Sequence, residues 1–132
     1  YKLIATVHCH FVNINSYCLV LVMADTLKVL GQAAPADTND ADLYTVPDAT
    51  VTTVSSIVAC NITGNTPNFR IAVRPSGATV ANEHYIYYGK VLAANDSVFT
   101  IIGITLSEND VITVRSSAAD EIAFSVFGVE TS

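Results

Sequence analysis

From Leu43 to Glu130 the chain repeats one unit, a short run rich in Val, Ile, Thr, Phe and Tyr that is closed by Gly, Pro, Asn, Asp or Ser. Such runs read as strands and such closures as turns, because β-branched and aromatic side chains pack well on a pleated surface while the closing residues accept tight bends. The runs are LYTVP (residues 43 to 47), ATVTTVSSIVACNIT (49 to 63), NFRIAVRPSG (68 to 77), HYIYYGKVLA (84 to 93), SVFTIIGITL (97 to 106), VITVRSS (111 to 117) and IAFSVFGVE (122 to 130). Pro47 suits a strand end, and Gly103 suits a bulge. Phe69, Ile71 and Val73 alternate with Arg70, Ala72 and Arg74, the pattern of a half-buried strand. Many short strands that each bury one face, with no helical stretch between them, predict an all-β fold: an antiparallel two-sheet β-sandwich, with the jelly roll among the forms open to it.

Composition narrows the function. Hydrophobic residues make up 51% of the chain and charged residues 14%, a balance that leaves little charge to clothe an exposed surface. Twelve acids against six bases argue against nucleic acid as a partner, since phosphate recognition rests on clustered Lys and Arg. At 132 residues the chain is long enough to bury a core of its own.

Residues 1 to 42 differ from the rest and read as an N-terminal extension or arm, leaving residues 43 to 132 as the sandwich domain. In KLIATVHCHFV (2 to 12), Leu3, Ala5, Val7, Cys9 and Phe11 fall on one face and Thr6, His8 and His10 on the other. With the apolar YCLVLV (17 to 22), this predicts a β-hairpin over 2 to 22 that turns near residues 13 to 15. The apolar part, residues 17 to 24, is too short for a transmembrane helix, and as a signal peptide its core is short and late, so no membrane is expected as a partner. The polar stretch 31 to 42, with APADTNDAD at 34 to 42, reads as a linker.

Few side chains are placed for chemistry. His8 and His10 are good metal ligands, but on a strand Cys9 points away from both, and His84 is the chain's one other histidine. The run from Asp37 to Asp42, with Asp48 at the twelfth position, resembles the opening of a calcium loop, but it lacks the turn glycine, has Ala41 at the fifth position and is interrupted by Pro47. Glu83-His84 sits in no recognisable catalytic motif, and the chain has neither a G-x-S-x-G elbow nor a phosphate loop. The expectation is no enzyme, no cofactor and no metal site. The three cysteines, Cys9, Cys18 and Cys60, read as small buried hydrophobes, with a Cys9–Cys18 disulfide as the alternative. Asn61-Ile62-Thr63 and Asn95-Asp96-Ser97 match the glycosylation sequon. The candidate interface residues are Tyr85, Tyr87 and Tyr88 with Arg70 and Arg74, because Tyr and Arg are favoured where proteins meet. Strict alternation places Tyr85 and Tyr87 on one face of their strand and Tyr88 on the other.

The combination of LGQAAP, LYTVP, FRIAVRP, HYIYY and the GITL turn into a V-x-V strand, spread over residues 23 to 130, resembles a group of small virion structural proteins encoded by tailed bacteriophages. The resemblance implies a β-sandwich building block, a capsid decoration or cement protein ahead of a tail, baseplate or fibre component, with no active site. It implies assembly in many copies, with a trimer as the expected symmetry, contact with the major capsid protein or tail proteins, and location in a virion assembled in the bacterial host cytoplasm. Residues 1 to 22 have no counterpart in the resemblance, so Met23 reads as a native start. A carbohydrate-binding sandwich is the alternative from another class, weakened by the absence of Trp, and a hydrolase is the third.

Overall fold

The computed structural model describes residues 23–132. The hairpin expected over residues 2 to 22, the Cys9–Cys18 pairing and the His8/His10 face lie outside them. Eight strands follow in order: β1 (Asp25–Ala33), β2 (Ala41–Thr45), β3 (Val51–Asn61), β4 (Asn68–Arg74), β5 (Tyr85–Val91), β6 (Ser97–Leu106), β7 (Val111–Ser116) and β8 (Ile122–Thr131). They form two four-stranded antiparallel sheets, sheet A in the order β1-β8-β3-β6 and sheet B in the order β2-β7-β4-β5. Every connection except that from β4 to β5 crosses from one sheet to the other, which is the eight-stranded jelly-roll arrangement. The β-sandwich expected from the sequence is thus the fold, and among the described residues helical geometry is confined to two single 3-10 turns, Pro75–Gly77 and Asn82–His84.

The inner faces of the sheets share one core. Sheet A contributes Val54, Ile57, Phe124 and Val126, and sheet B contributes Phe69, Ile71, Ile112 and Val114, all buried. The rings of Phe69 and Phe124 meet edge to face across the sandwich with centroids 6.0 Å apart, a favoured geometry for aromatic pairs. Two tyrosines close the open sides. On one side the buried Tyr44 hydroxyl donates to Glu130 Oε1 and accepts from Thr52 Oγ1, both at 2.7 Å, while Lys28 pairs with the same Glu130. On the other, Thr100 Oγ1 of β6 donates to the Tyr87 hydroxyl of β5 at 3.0 Å.

One feature departs from the sequence reading. Residues 25 to 33, assigned to the arm, form β1 and pair with β8 from Asp25–Thr131 to Ala33–Phe124, so strand pairing in the sandwich begins at Asp25 rather than Leu43. The strand is concealed in the sequence because a bulge between Val29 and Gly31 breaks its alternation. At Gly31 a side chain would collide with the Leu43 carbonyl of β2 in the other sheet, so the position is kept small and looks like a turn residue. The bulge expected at Gly103 is present: Ile102 and Gly103 together face Ser55, and Gly103 has a φ of 55°, a left-handed value that costs glycine little.

Candidate interaction faces

Of the residues singled out from the sequence, Tyr85, Tyr88, Arg70 and Arg74 lie on the outer face of sheet B and Tyr87 does not, an arrangement that strict alternation does not produce. The edge strand β5 pairs with β4 through Tyr85–Ala72, Tyr87–Ile71 and Tyr88–Arg70, with Ile86 and Gly89 as extra residues at two register shifts. Each extra residue turns the strand over, so Tyr85 and Tyr88 share the outer face and Tyr87 points inward with Ile71. The expected pairing of Tyr85 with Tyr87 on one face is therefore corrected. Tyr87 packs edge-on against the buried Phe69 with centroids 5.4 Å apart, and it serves the core.

On the outer face the rings of Tyr85 and Tyr88 meet edge to face at 4.8 Å. The Arg70 guanidinium lies over the Tyr88 ring, 4.1 Å from its centroid, a cation–π contact. The next residue along that row is Arg115 of β7, the direct cross-strand partner of Arg70. An open depression of about 340 Å³ lies beside them, lined by both arginines with Thr38, Asn68 and Ser117.

Arg74, the other arginine expected at an interface, is occupied within the fold. Its Nε donates to Thr113 Oγ1 at 2.7 Å, one terminal nitrogen donates to the Ala78 carbonyl at 3.1 Å, and the other pairs with Asp42. Thr113 in turn donates to the same Asp42 carboxylate at 3.1 Å. The guanidinium thereby pins the 3-10 turn after β4 to the outer face of sheet B.

Other candidates resolve into local roles. Asp37 accepts the Asn39 N–H at 2.9 Å and closes an Asx turn, a bond that holds its carboxyl below the usual carboxylate range. His84 Nδ1 accepts the Ala81 N–H at 3.0 Å. Asn61 is buried and donates from Nδ2 to the carbonyls of Asn65 and Ala93 at 2.8 and 2.9 Å, so the sequon at this position presents no free amide for a glycan. Cys60 is half-buried, and its β3 position is flanked by Ser97 and Ala123, on the outer face of sheet A rather than in the core.

Sequence reasoning passed over that outer face of sheet A, which is the more exposed apolar surface. Ile101 is 87% exposed, Leu27 80% and Phe99 73%, with Val29 and Val51 also in water. The registers place Leu27 beside Val129, Val29 beside Phe127, and Val58 beside Phe99, so these side chains run across all four strands. The strands of sheet A carry three charged residues, of which Lys28 and Glu130 pair with each other and Asp25 sits at a corner against Thr131. The signal for this face lay in SVFTIIGITL, an uncharged run apolar at seven of its ten positions, counting Gly103, more than a strand with one wet face needs.

No protein-family model matches the chain, and no curated protein matches it. Among solved structures it is similar to one described as the structure of infectious bursal disease virus Gx strain, with 11% sequence identity and a TM-score of 0.38, over 83% of this chain and 31% of that one. The chain thus spans less than a third of that neighbour's length.

Proposed function

We propose that this chain is a non-enzymatic structural protein of a tailed-bacteriophage virion, a capsid decoration or cement protein that stabilises the shell through repeated contacts with the major capsid protein. The observation that carries the reading is the outer face of sheet A. Exposed apolar surface that runs across a whole sheet marks a contact site, because leaving it in water forgoes about 25 cal/mol for every Å² that a partner would cover. Jelly rolls occur in capsid proteins, lectins and cupins alike, so the fold does not choose among them. The choice rests on this uncharged face together with the resemblance over residues 23 to 130. A sugar-binding surface would pair open aromatic rings with polar side chains that reach sugar hydroxyls, whereas here the exposed Phe99 lies on an apolar face beside Val58, the Arg70 guanidinium covers one side of the Tyr88 ring and Tyr87 is turned inward.

In this reading the protein works as a homo-oligomer, with a trimer as the symmetry to test by mass measurement in solution. Imaging labelled protein on intact phage particles tests the function itself. Label distributed over the capsid shell is the expected result. Label on tails alone would move the protein to a tail, baseplate or fibre role, and particles that carry none would overturn the virion reading.

A further inference from the structure

We propose that Arg70 and Arg115, with Thr38, Asn68 and Ser117 around them, form a binding site for an acidic peptide segment in which two carboxylates are separated by one residue. The site rests on the chemistry of sheet B and goes beyond the virion reading, which draws on sheet A. Arg70 and Arg115 are directly opposite each other on β4 and β7, and both side chains emerge on the outer face. Like charges in that position repel, and in a chain with twice as many acids as bases a carboxylate would be the easy way to relieve them. Among the described residues the ion pairs are Lys28–Glu130 and Arg74–Asp42, and neither Arg70 nor Arg115 takes part in one. The depression beside them has no acidic residue in its lining.

The surroundings are arranged for an anion. Tyr88 holds the Arg70 guanidinium by its flat face, which orients the side chain and leaves the N–H groups in its plane free to donate. Ser117 Oγ accepts the Asn68 N–H at 2.9 Å, so the serine's own proton is left for another acceptor. The same face shows which anion an arginine here takes: Arg74, bridged by the Thr113 hydroxyl, binds the Asp42 carboxylate. Arg70 and Arg115 have the arginine and hydroxyl parts of that arrangement without the carboxylate.

The ligand's size follows from the shape of the site. The depression is shallow, and one exposed ion pair in water is weak, so a single free carboxylate gains little. Two cross-strand arginines have Cβ atoms about 5 Å apart, and residues i and i+2 of an extended peptide lie about 7 Å apart on one face, a spacing that the long arginine side chains bridge. Nucleic acid fits poorly, since tight binding there draws on about six to ten phosphate contacts and this face offers two unpaired arginines.

The test is an NMR titration of the full chain that follows the Arg70 and Arg115 Nε–H signals at constant ionic strength. The probes are a blocked Gly-Glu-Ala-Glu-Gly peptide, its Gly-Gln-Ala-Gln-Gly counterpart and inorganic phosphate. Saturating shifts at both arginines with the Glu peptide alone are expected. R70Q and R115Q are each expected to weaken binding five- to tenfold, and R70K, which keeps the charge but loses the planar fork, to weaken it less. R74Q is expected to leave the affinity unchanged. The amide spectrum of each variant shows that it is folded. Shifts that never saturate, shifts equal for the Gln peptide, or an affinity unaltered in R115Q would overturn the site. Phosphate that displaces the Glu peptide at a tenfold lower concentration would overturn its assignment to an acidic peptide.

Discussion

On the outer face of sheet A, Leu27, Phe99 and Ile101 stand in water on the same surface as Val29, Phe127 and Val129, while on the outer face of sheet B, Tyr85, Tyr88, Arg70 and Arg115 form a charged aromatic row. The two sheets have the same number of strands and bury their inner faces in the same core. Folding therefore asks the same of both and places little demand on what points outward. In the proposed reading the outer faces differ because their partners differ: one suits a partner that covers apolar surface, the other a partner that brings negative charge. Where a single sheet face must serve both folding and contact, these two demands cannot be separated; a sandwich separates them by layer.

Both outer faces rest on one core, and the largest expected effect tests this. Phe124→Ala removes the ring that meets Phe69 across the sandwich and is expected to cost about 3–5 kcal/mol in urea unfolding. Tryptophan probes placed on each sheet should lose their signal together; separate transitions would show that the faces belong to independent units. Asn61→Ala comes next. Asn61 lies in β3 of sheet A and donates to the Leu92 carbonyl just beyond β5 of sheet B, so its removal strands a buried acceptor at a cost of about 1–3 kcal/mol.

The Tyr44–Glu130–Lys28 cluster joins the sheets at one open side and gives the molecule a pH signature. The hydrogen bond from Lys28 holds the Glu130 carboxyl below its ordinary value of 4.5. A lowered folded value means that the stability contributed by Glu130 is fully present above 4.5 and disappears as the pH falls through the folded value. Burial pushes the Tyr44 hydroxyl up from 10.0 to about 12, so the folded state keeps a proton that the unfolded chain releases, and stability falls as the pH rises from 10.0 towards 12. Unfolding midpoints measured across both windows should drop at each end, and Glu130→Gln should flatten the acid limb.

The smallest effects separate the two outer faces from each other. Ile101→Lys is expected to change stability by less than about 0.5 kcal/mol, since a side chain that is 87% exposed supports little of the core, yet it should reduce binding of a hydrophobic dye to the native protein. Arg115→Gln relieves the like-charge pair with Arg70 and is expected to raise stability by a few tenths of a kcal/mol. A loss of stability in Arg115→Gln would mean that the arginine is already paired in solution.

Much of this molecule could be read along the chain. Periodicity is local, so SVFTIIGITL reads as the strand Ser97–Leu106 with a bulge at Gly103, and the burial of Phe69 and Ile71 follows from their alternation with arginine. The sequence by itself determined the all-β class, the turns between the later strands and the residues that carry charge. It did not show β1, because a bulge and the small residue Gly31 interrupt its alternation and the strand is defined by its ladder to β8, near the other end of the chain.

Tertiary structure alone decided three things. Strand order followed from which apolar faces meet, and that pairing joins residues far apart in sequence. The register shifts at Ile86 and Gly89 decided that Tyr87 enters the core while Tyr88 stays outside, since one extra residue in a strand reverses every side chain beyond it. The placing of Arg115 beside Arg70, 45 residues away, came from the β4–β7 ladder. Alternation says which side chains share a face of one strand; only the packing of strands says which of them become neighbours.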